Sequence, residues 1–171
     1  MAQTRDHMKF CPECGQTSVS RFSKSFACRE CGFTLFLNAA AAVAAIIEYD
    51  GSILATVRAC SPDAGRLDLP GGFVDNQETA EQALGRELKE ELSLQTIAPV
   101  YFGSYPNLYP YKARTYHTLD LIFTVKLMTL PSLAPADDVA SIRWIKTSEL
   151  EVQDFAFSSV RSAVTDYLNR P

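Results

Sequence analysis

Between Pro70 and Leu94 the chain must turn sharply and then run as a helix that sets three carboxylates beside its own buried stripe. Pro70-Gly71-Gly72 punctuates a short apolar piece, Leu67-Asp68-Leu69. Two successive glycines let a backbone bend tightly and come close to a ligand. The spacing predicts a helix from about Glu78, where acidic residues suit the positive end of the helix dipole, to about Leu92. Leu84, Leu88 and Leu92 recur at helical spacing as its buried stripe. Glu87, Glu90 and Glu91 stand at i, i+3 and i+4, so they share one face next to that stripe. Like charges so placed repel, by roughly a few tenths of a kcal/mol per pair on an open helix and by more where partly buried. Divalent cations would remove the conflict, and clustered hard oxygens suit Mg²⁺ or Mn²⁺ with substrate phosphates completing the shell. A Glu-rich face alone is more often solvated surface. The Pro-Gly-Gly turn, with Glu78 and Arg86 at fixed offsets, shifts the reading toward a site. Gly85, inside the helix, costs on the order of 1 kcal/mol relative to Ala. It either permits close packing or is simply tolerated.

Four of the five cysteines form two pairs, Cys11-Pro-Glu-Cys14-Gly and Cys28-Arg-Glu-Cys31-Gly, with thirteen residues between them. Gly15 and Gly32 permit the backbone to curl around a sulfur. Four thiolates at this spacing match a tetrahedral Zn²⁺ ribbon. A segment this short has too little core to fold alone, so a metal would supply the missing free energy. Cys60 has no partner by spacing and reads as a plain small residue.

A chain of 171 residues, 47% of them hydrophobic, suits one compact domain plus a small appendage. Its net charge of −4 argues against general nucleic-acid binding, because such binders are usually basic. Anions can still be held through cations placed between carboxylates and phosphates. The longest continuous apolar run, Ala39–Ile47, is too short to span a bilayer, and Met1–Phe10 has no apolar core of a signal peptide. Reducing conditions in the cytoplasm agree with the cysteine pattern. No G-x-S-x-G, P-loop or G-x-G-x-x-G is present, so acyl transfer, a Walker-type NTPase and a Rossmann site have no support.

Residues 8–34 should form the ribbon. Ala39–Tyr49 and Ser52–Arg58 read as strands joined at Asp50-Gly51, a strong hairpin signal. Gln95–Ser104 reads as a strand that ends before the breakers Pro106 and Pro110. Thr115–Met128 and Ala140–Ile145 are strand-like, Leu130–Asp138 a loop, Thr147–Leu150 a short turn, and Ser158–Leu168 a terminal helix. Five of the seven tyrosines fall between Tyr101 and Tyr116. Tyr101 and Tyr116, with Phe102, are expected in strand cores. Tyr105, Tyr109 and Tyr111 lie among the prolines and are the candidates to stack on a substrate ring. His117 lies in a strand and is expected to be structural.

From Gly72 the chain reads G-F-V-D-N-Q-E-T-A-E-Q-A-L-G-R-E-L-K-E-E-L-S-L, with five residues between Gly72 and Glu78 and seven between Glu78 and Arg86. This resembles the Nudix box, the signature of Mg²⁺-dependent hydrolases of nucleoside diphosphates linked to a second group. Every position matches except Ser93, where the family usually has Gly. The resemblance covers about residues 38–168. It implies an α/β fold, an α/β/α sandwich with a mixed sheet, as a domain at 38–171 preceded by a tail and zinc ribbon at 1–37. It further implies that Glu87, Glu90 and Glu91, with the carbonyl of Gly72, hold Mg²⁺ or Mn²⁺. Arg86 would orient a glutamate and Glu78 would fix the loop–helix junction, with Gly71 and Gly72 lying against substrate. Related enzymes take the general base from the box or from a later loop, and Asp137 or Asp138 could supply it from there.

Ser104-Tyr105-Pro106-Asn107-Leu108-Tyr109-Pro110 is similar to the S-Q-P-W-P-F-P motif of NADH pyrophosphatases, which also carry an N-terminal zinc ribbon. Ser104, Pro106 and Pro110 match and Tyr109 stands for an aromatic, while the Gln, the Trp and the middle Pro are replaced. The implied reaction is hydrolysis of a pyrophosphate bond in a small-molecule nucleotide, NADH first and ADP-ribose next, giving a nucleoside monophosphate. The competing readings are a nucleoside triphosphate pyrophosphatase and a non-catalytic ligand-sensing or zinc-ribbon interaction module. A membrane partner is not expected, and a homodimer is one open assembly.

Overall fold

The fold is organised by one strand, Ala40–Tyr49 (β4), whose apolar run is buried on both faces. The computed structural model describes residues 9–95 and 98–170. Ahead of β4 lies a small antiparallel sheet of Val19–Arg21 (β1), Ser25–Cys28 (β2) and Thr34–Phe36 (β3), in that order. A separate seven-stranded sheet follows. Its main path is Val139–Lys146 (β10), Ser52–Arg58 (β5), β4, Arg114–Lys126 (β9) and Val100–Tyr111 (β8). β4 and β9 run parallel, and the β4–β5, β5–β10 and β8–β9 pairs are antiparallel, so the sheet is mixed.

Two helices cover its faces. Ala80–Leu92 (α1) presents Ala83, Leu84, Leu88 and Leu92 to Val43, Ala45 and Ile47 of β4. Ser158–Leu168 (α2) packs Val160, Ala163 and Val164 against the opposite face, beside Ala44 and Ile46. The period-two alternation of β4 thus feeds both cores, and the layers form the expected α/β/α sandwich.

β4 and β5 meet only at their hairpin, where Asp50 and Gly51 adopt φ of 46° and 70°, the left-handed pair of a type I′ turn. Beyond the hairpin the two strands splay. Two short strands fill the gap: Leu67–Asp68 (β6) pairs with β5, and Gly71–Phe73 (β7) pairs with Ala42–Ala44 of β4. The splay therefore carries the Pro-Gly-Gly turn into the sheet and under α1.

Most strand boundaries expected from sequence hold, but β8 does not stop before its prolines. It continues through Pro106 and Pro110 to Tyr111, paired in register with β9. The reason is position: β8 is the sheet edge, where a residue without an N–H can face outward at no cost to the ladder. The expected start at Gln95 runs across residues 96 and 97, which lie outside the described residues, as does most of Met1–Phe10. Tyr101 and Tyr116 were expected in the core but are 56% and 42% exposed, because an edge hairpin has few neighbours to bury them; Phe102 is buried. Among the described residues no helix is long and apolar enough to cross a membrane.

Candidate active site and metal cluster

Three elements converge where β4 and β5 part: the turn at Gly71-Gly72, the inner face of α1, and the loop that ends at Asp138. Gly71 has φ of 147°, and a side chain there would place Cβ 2.1 Å from the Val43 carbonyl oxygen. Its N–H donates to Glu91 Oε2 at 2.9 Å, which fastens the turn to the helix. Gly72 faces Glu87 instead. A Cβ there would lie 2.4 Å from Glu87 Oε1, so the missing side chain is the space the carboxylate occupies.

α1 begins at Ala80, two residues later than the start expected at Glu78. Thr79 is its N-cap and forms a capping box with Gln82, each accepting from the other's backbone N–H. Glu78 lies just outside, accepting from the Asp75 N–H at 3.1 Å and bidentately from Arg86 at 2.9 and 3.0 Å. Arg86 also reaches Glu87 at 2.8 Å, Glu90 at 3.2 Å, the Phe73 carbonyl at 3.0 Å and the Asp75 carboxylate at 3.9 Å. One guanidinium thus ties the loop before the helix to two of the three box carboxylates. Its hydrogen bonds hold the Glu78 carboxyl below the usual carboxylate range.

The inner carboxylates behave differently. Glu91 is 5% exposed, and burial first, then the neighbouring Asp138 and Glu87, pushes its carboxyl up to about 9. Burial also raises Glu87, with Glu90 and Asp138 adding repulsion. Glu90 is the outermost, its side chain half exposed. Buried acids crowded beside a glycine turn, with one arginine to offset them, are a site short of positive charge. That donor set fits hard divalent cations.

A cavity of about 140 Å³ opens from this turn toward α2, lined by Gly71, Gly72, Asp138, Tyr109, Asp120 and Phe157 among others. Of the two loop aspartates, Asp138 reaches the cavity. Asp137 takes a left-handed φ of 55° and is not in its lining. Of the three candidate tyrosines, only Tyr109 lines it. Tyr105 packs toward α2 and donates to Asp166 at 2.8 Å, and Tyr111 stacks on Tyr109 from outside, with centroids 6.4 Å apart. Five further polar side chains of the lining were not singled out from sequence: Arg58, Asp68, Asn107, Thr118 and Asp120. Arg58 pairs with Asp68 at 2.8 Å and lies over the Phe157 ring, 4.8 Å from its centroid. A lone acid in the apolar alternation of β9 was the signal for Asp120. The Arg58–Asp68 pair joins two strands and had none.

In the small sheet, the four thiol sulfurs of Cys11, Cys14, Cys28 and Cys31 all lie within 4.8 Å of one another. Cys11 to Cys31 and Cys14 to Cys28 are each 3.7 Å apart, far beyond a disulfide bond and close to the edge of about 3.8 Å of a tetrahedron with metal–sulfur bonds of about 2.3 Å. The Gly15 and Gly32 N–H groups donate back to the Cys11 and Cys28 carbonyls, forming the two knuckles. Cys60 is exposed and outside this cluster.

Comparison with known proteins is decisive for the family. The NUDIX domain matches residues 37–166, most of the chain. The chain belongs to the Nudix family. The ADP-ribose pyrophosphatase of Methanocaldococcus jannaschii is 31% identical over 136 residues, covering 80% of this chain and 77% of that one. The NAD-capped RNA hydrolase NudC of Haemophilus influenzae is 31% identical over 105 residues, 60% of this chain but only 40% of that protein. A crystal structure of a NUDIX hydrolase from Nitrosomonas europaea superposes with a TM-score of 0.71 at 26% identity, covering 94% of this chain and 90% of that one. As a Nudix protein with pyrophosphohydrolase relatives, the chain is an enzyme of the hydrolase class.

Proposed function

We propose that this Nudix hydrolase cleaves the pyrophosphate bond of a nucleoside diphosphate linked to a second group, a dinucleotide such as NADH or a compound such as ADP-ribose, releasing a nucleoside monophosphate. The observation that carries the reading is the meeting of Glu87, Glu91 and Asp138 around the Gly71-Gly72 turn at one end of a cavity walled by Tyr109 and Phe157. Glu87, Glu90 and Glu91, with the Gly72 carbonyl, would hold Mg²⁺ or Mn²⁺. Bound there, such cations neutralise charge on the phosphoryl oxygens and acidify a coordinated water.

The chain's own groups do the rest. Arg86 holds Glu87 and Glu90 at fixed distances through its branched donors. The Gly71 N–H fixes Glu91. Asp138 faces the same cavity and accepts a proton as a water oxygen bonds to one phosphorus and the bridging oxygen leaves with the other. Tyr109 and Phe157 supply ring faces for the nucleoside part.

In this reading residues 38–171 are the hydrolase domain and residues 1–37 the tail and ribbon, with Cys11, Cys14, Cys28 and Cys31 holding a structural Zn²⁺. The protein would work in the cytoplasm. A panel of NADH, ADP-ribose and a nucleoside triphosphate, each with Mg²⁺ and with Mn²⁺, tests the activity by product identity. AMP should appear from the first two at the higher kcat/KM. Pyrophosphate released from the triphosphate as the dominant product, or no turnover with either ion, would refute the proposal.

A further inference from the structure

The far end of the cavity carries a second polar set that phosphate chemistry does not use. Asn107 on β8 and Asp120 on β9 both line it and are only 7% and 9% exposed. Asn107 opposes Thr118 in register, so Asp120 is its diagonal neighbour on one sheet face. The hydroxyls around Asp120 point their protons inward. Thr118 Oγ1 donates to Asp120 Oδ1 at 2.7 Å and Ser159 Oγ donates to Oδ2 at 2.5 Å. The carboxylate they hold is an acceptor only. Ser158 Oγ donates to Asn107 Oδ1 at 3.2 Å, which leaves the Asn107 amide N–H groups to offer. Alongside stand the Tyr109 and Phe157 rings, with centroids 5.4 Å apart.

An acceptor beside a donor, flanked by ring faces, complements a base edge that has an amino group next to a ring nitrogen. Adenine and cytosine present such an edge. Hypoxanthine and uracil would set a carbonyl oxygen against the Asp120 oxygens, acceptor against acceptor, beside side chains that are themselves largely buried.

We propose that Asp120 and Asn107 read the substrate's base and select an amino-bearing base over its oxo counterpart. This rests on the pyrophosphohydrolase reading, because phosphates held at the Gly71-Gly72 end direct the nucleoside toward Asp120. The test is equilibrium binding of AMP, IMP, CMP and UMP to the intact chain by calorimetry, so that it does not depend on turnover. AMP should bind about tenfold or more tightly than IMP, and CMP likewise against UMP. The better of AMP and CMP decides between adenine and cytosine. Asp120→Asn, and separately the similarly sized Asn107→Leu, should bring the amino and oxo ligands to within about twofold of each other, since each removes one of the two hydrogen bonds that discriminate. Equal affinity for AMP and IMP, and for CMP and UMP, in the unmodified protein would overturn the assignment. Hydrolysis of ADP-ribose is measured in parallel. Loss of base preference with turnover present removes the base reading alone, and base preference without turnover keeps it while removing the hydrolytic one.

Discussion

Gly71 and Gly72 are adjacent, yet their side chains are missing for opposite reasons, and that difference can be measured. At Gly71 a Cβ would collide with main chain, 2.1 Å from the Val43 oxygen and 2.6 Å from the Ala44 Cα, at a φ of 147°. Neither obstacle can move without opening the β4–β7 pairing. Gly71→Ala should therefore destabilise the fold by about 3 kcal/mol, read by chemical denaturation. At Gly72 the obstacle is the flexible end of Glu87. Gly72→Ala should cost under about 1 kcal/mol of stability, because the carboxylate can swing aside. It should lower kcat by about a hundredfold, because displacing a positioned catalytic group by an ångström has effects of that size. An active Gly72→Ala enzyme would show that the position of Glu87 does not matter to the reaction. The sequence showed that two glycines sit before a carboxylate helix. Which one served backbone and which served a side chain depends on β4, some thirty residues earlier.

The box helix shows how far element ends can be read from a chain. Its C-terminus was legible, since the Leu84, Leu88 and Leu92 stripe stops where the helix stops. Charge alone points to a start at Glu78, but Thr79-Ala80-Glu81-Gln82 spells a capping box that fixes the start at Ala80. Past the end, Ser93 adopts φ 57° and ψ 21°, the left-handed cap that glycine takes without strain. Ser93→Gly should then stabilise the protein by up to about 1 kcal/mol. Gly85 has the reverse character. A Cβ there meets nothing within 4 Å, so it is tolerated and not required. Gly85→Ala should add on the order of 1 kcal/mol. In a chain of this size each gain corresponds to roughly 2–4 °C in Tm, and a calorimetric scan showing a fall for either variant would contradict the helix geometry. The edge strand β8 was less legible than α1. Proline is a breaker in the interior of a sheet and admissible at its border, and whether a strand is at the border is settled by the other strands. The same non-local cause hid the polar end of the cavity, since Asn107, Asp120 and the Ser159 that holds Asp120 come from three elements.

At the scale of the whole molecule, two units use metals for different ends. The seven-stranded sheet has two apolar cores, one under each helix, and its carboxylate cluster belongs to neither, so a cation there would serve reaction and not folding. The three-stranded sheet has little of this kind. Cys11, Phe26 and Cys28 are its buried apolar side chains, while Phe10, Phe22 and Phe36 are 56–66% exposed. A sheet of three short strands without a core needs a staple. Its four sulfurs lie within 4.8 Å of one another, two pairs of them at the tetrahedral spacing, so elemental analysis should find about one zinc per chain. Cys28→Ser should abolish that zinc, and Cys60→Ser should leave it, because Cys60 lies outside the cluster. Loss of the ribbon metal should expose residues 9–37 to proteolysis while the thermal transition of the larger sheet shifts little, since no strand hydrogen-bonds one sheet to the other among the described residues. Zinc retained in Cys28→Ser would break the ligand assignment. A single cooperative unfolding of the whole chain on zinc removal would show instead that the larger sheet draws its stability from the ribbon.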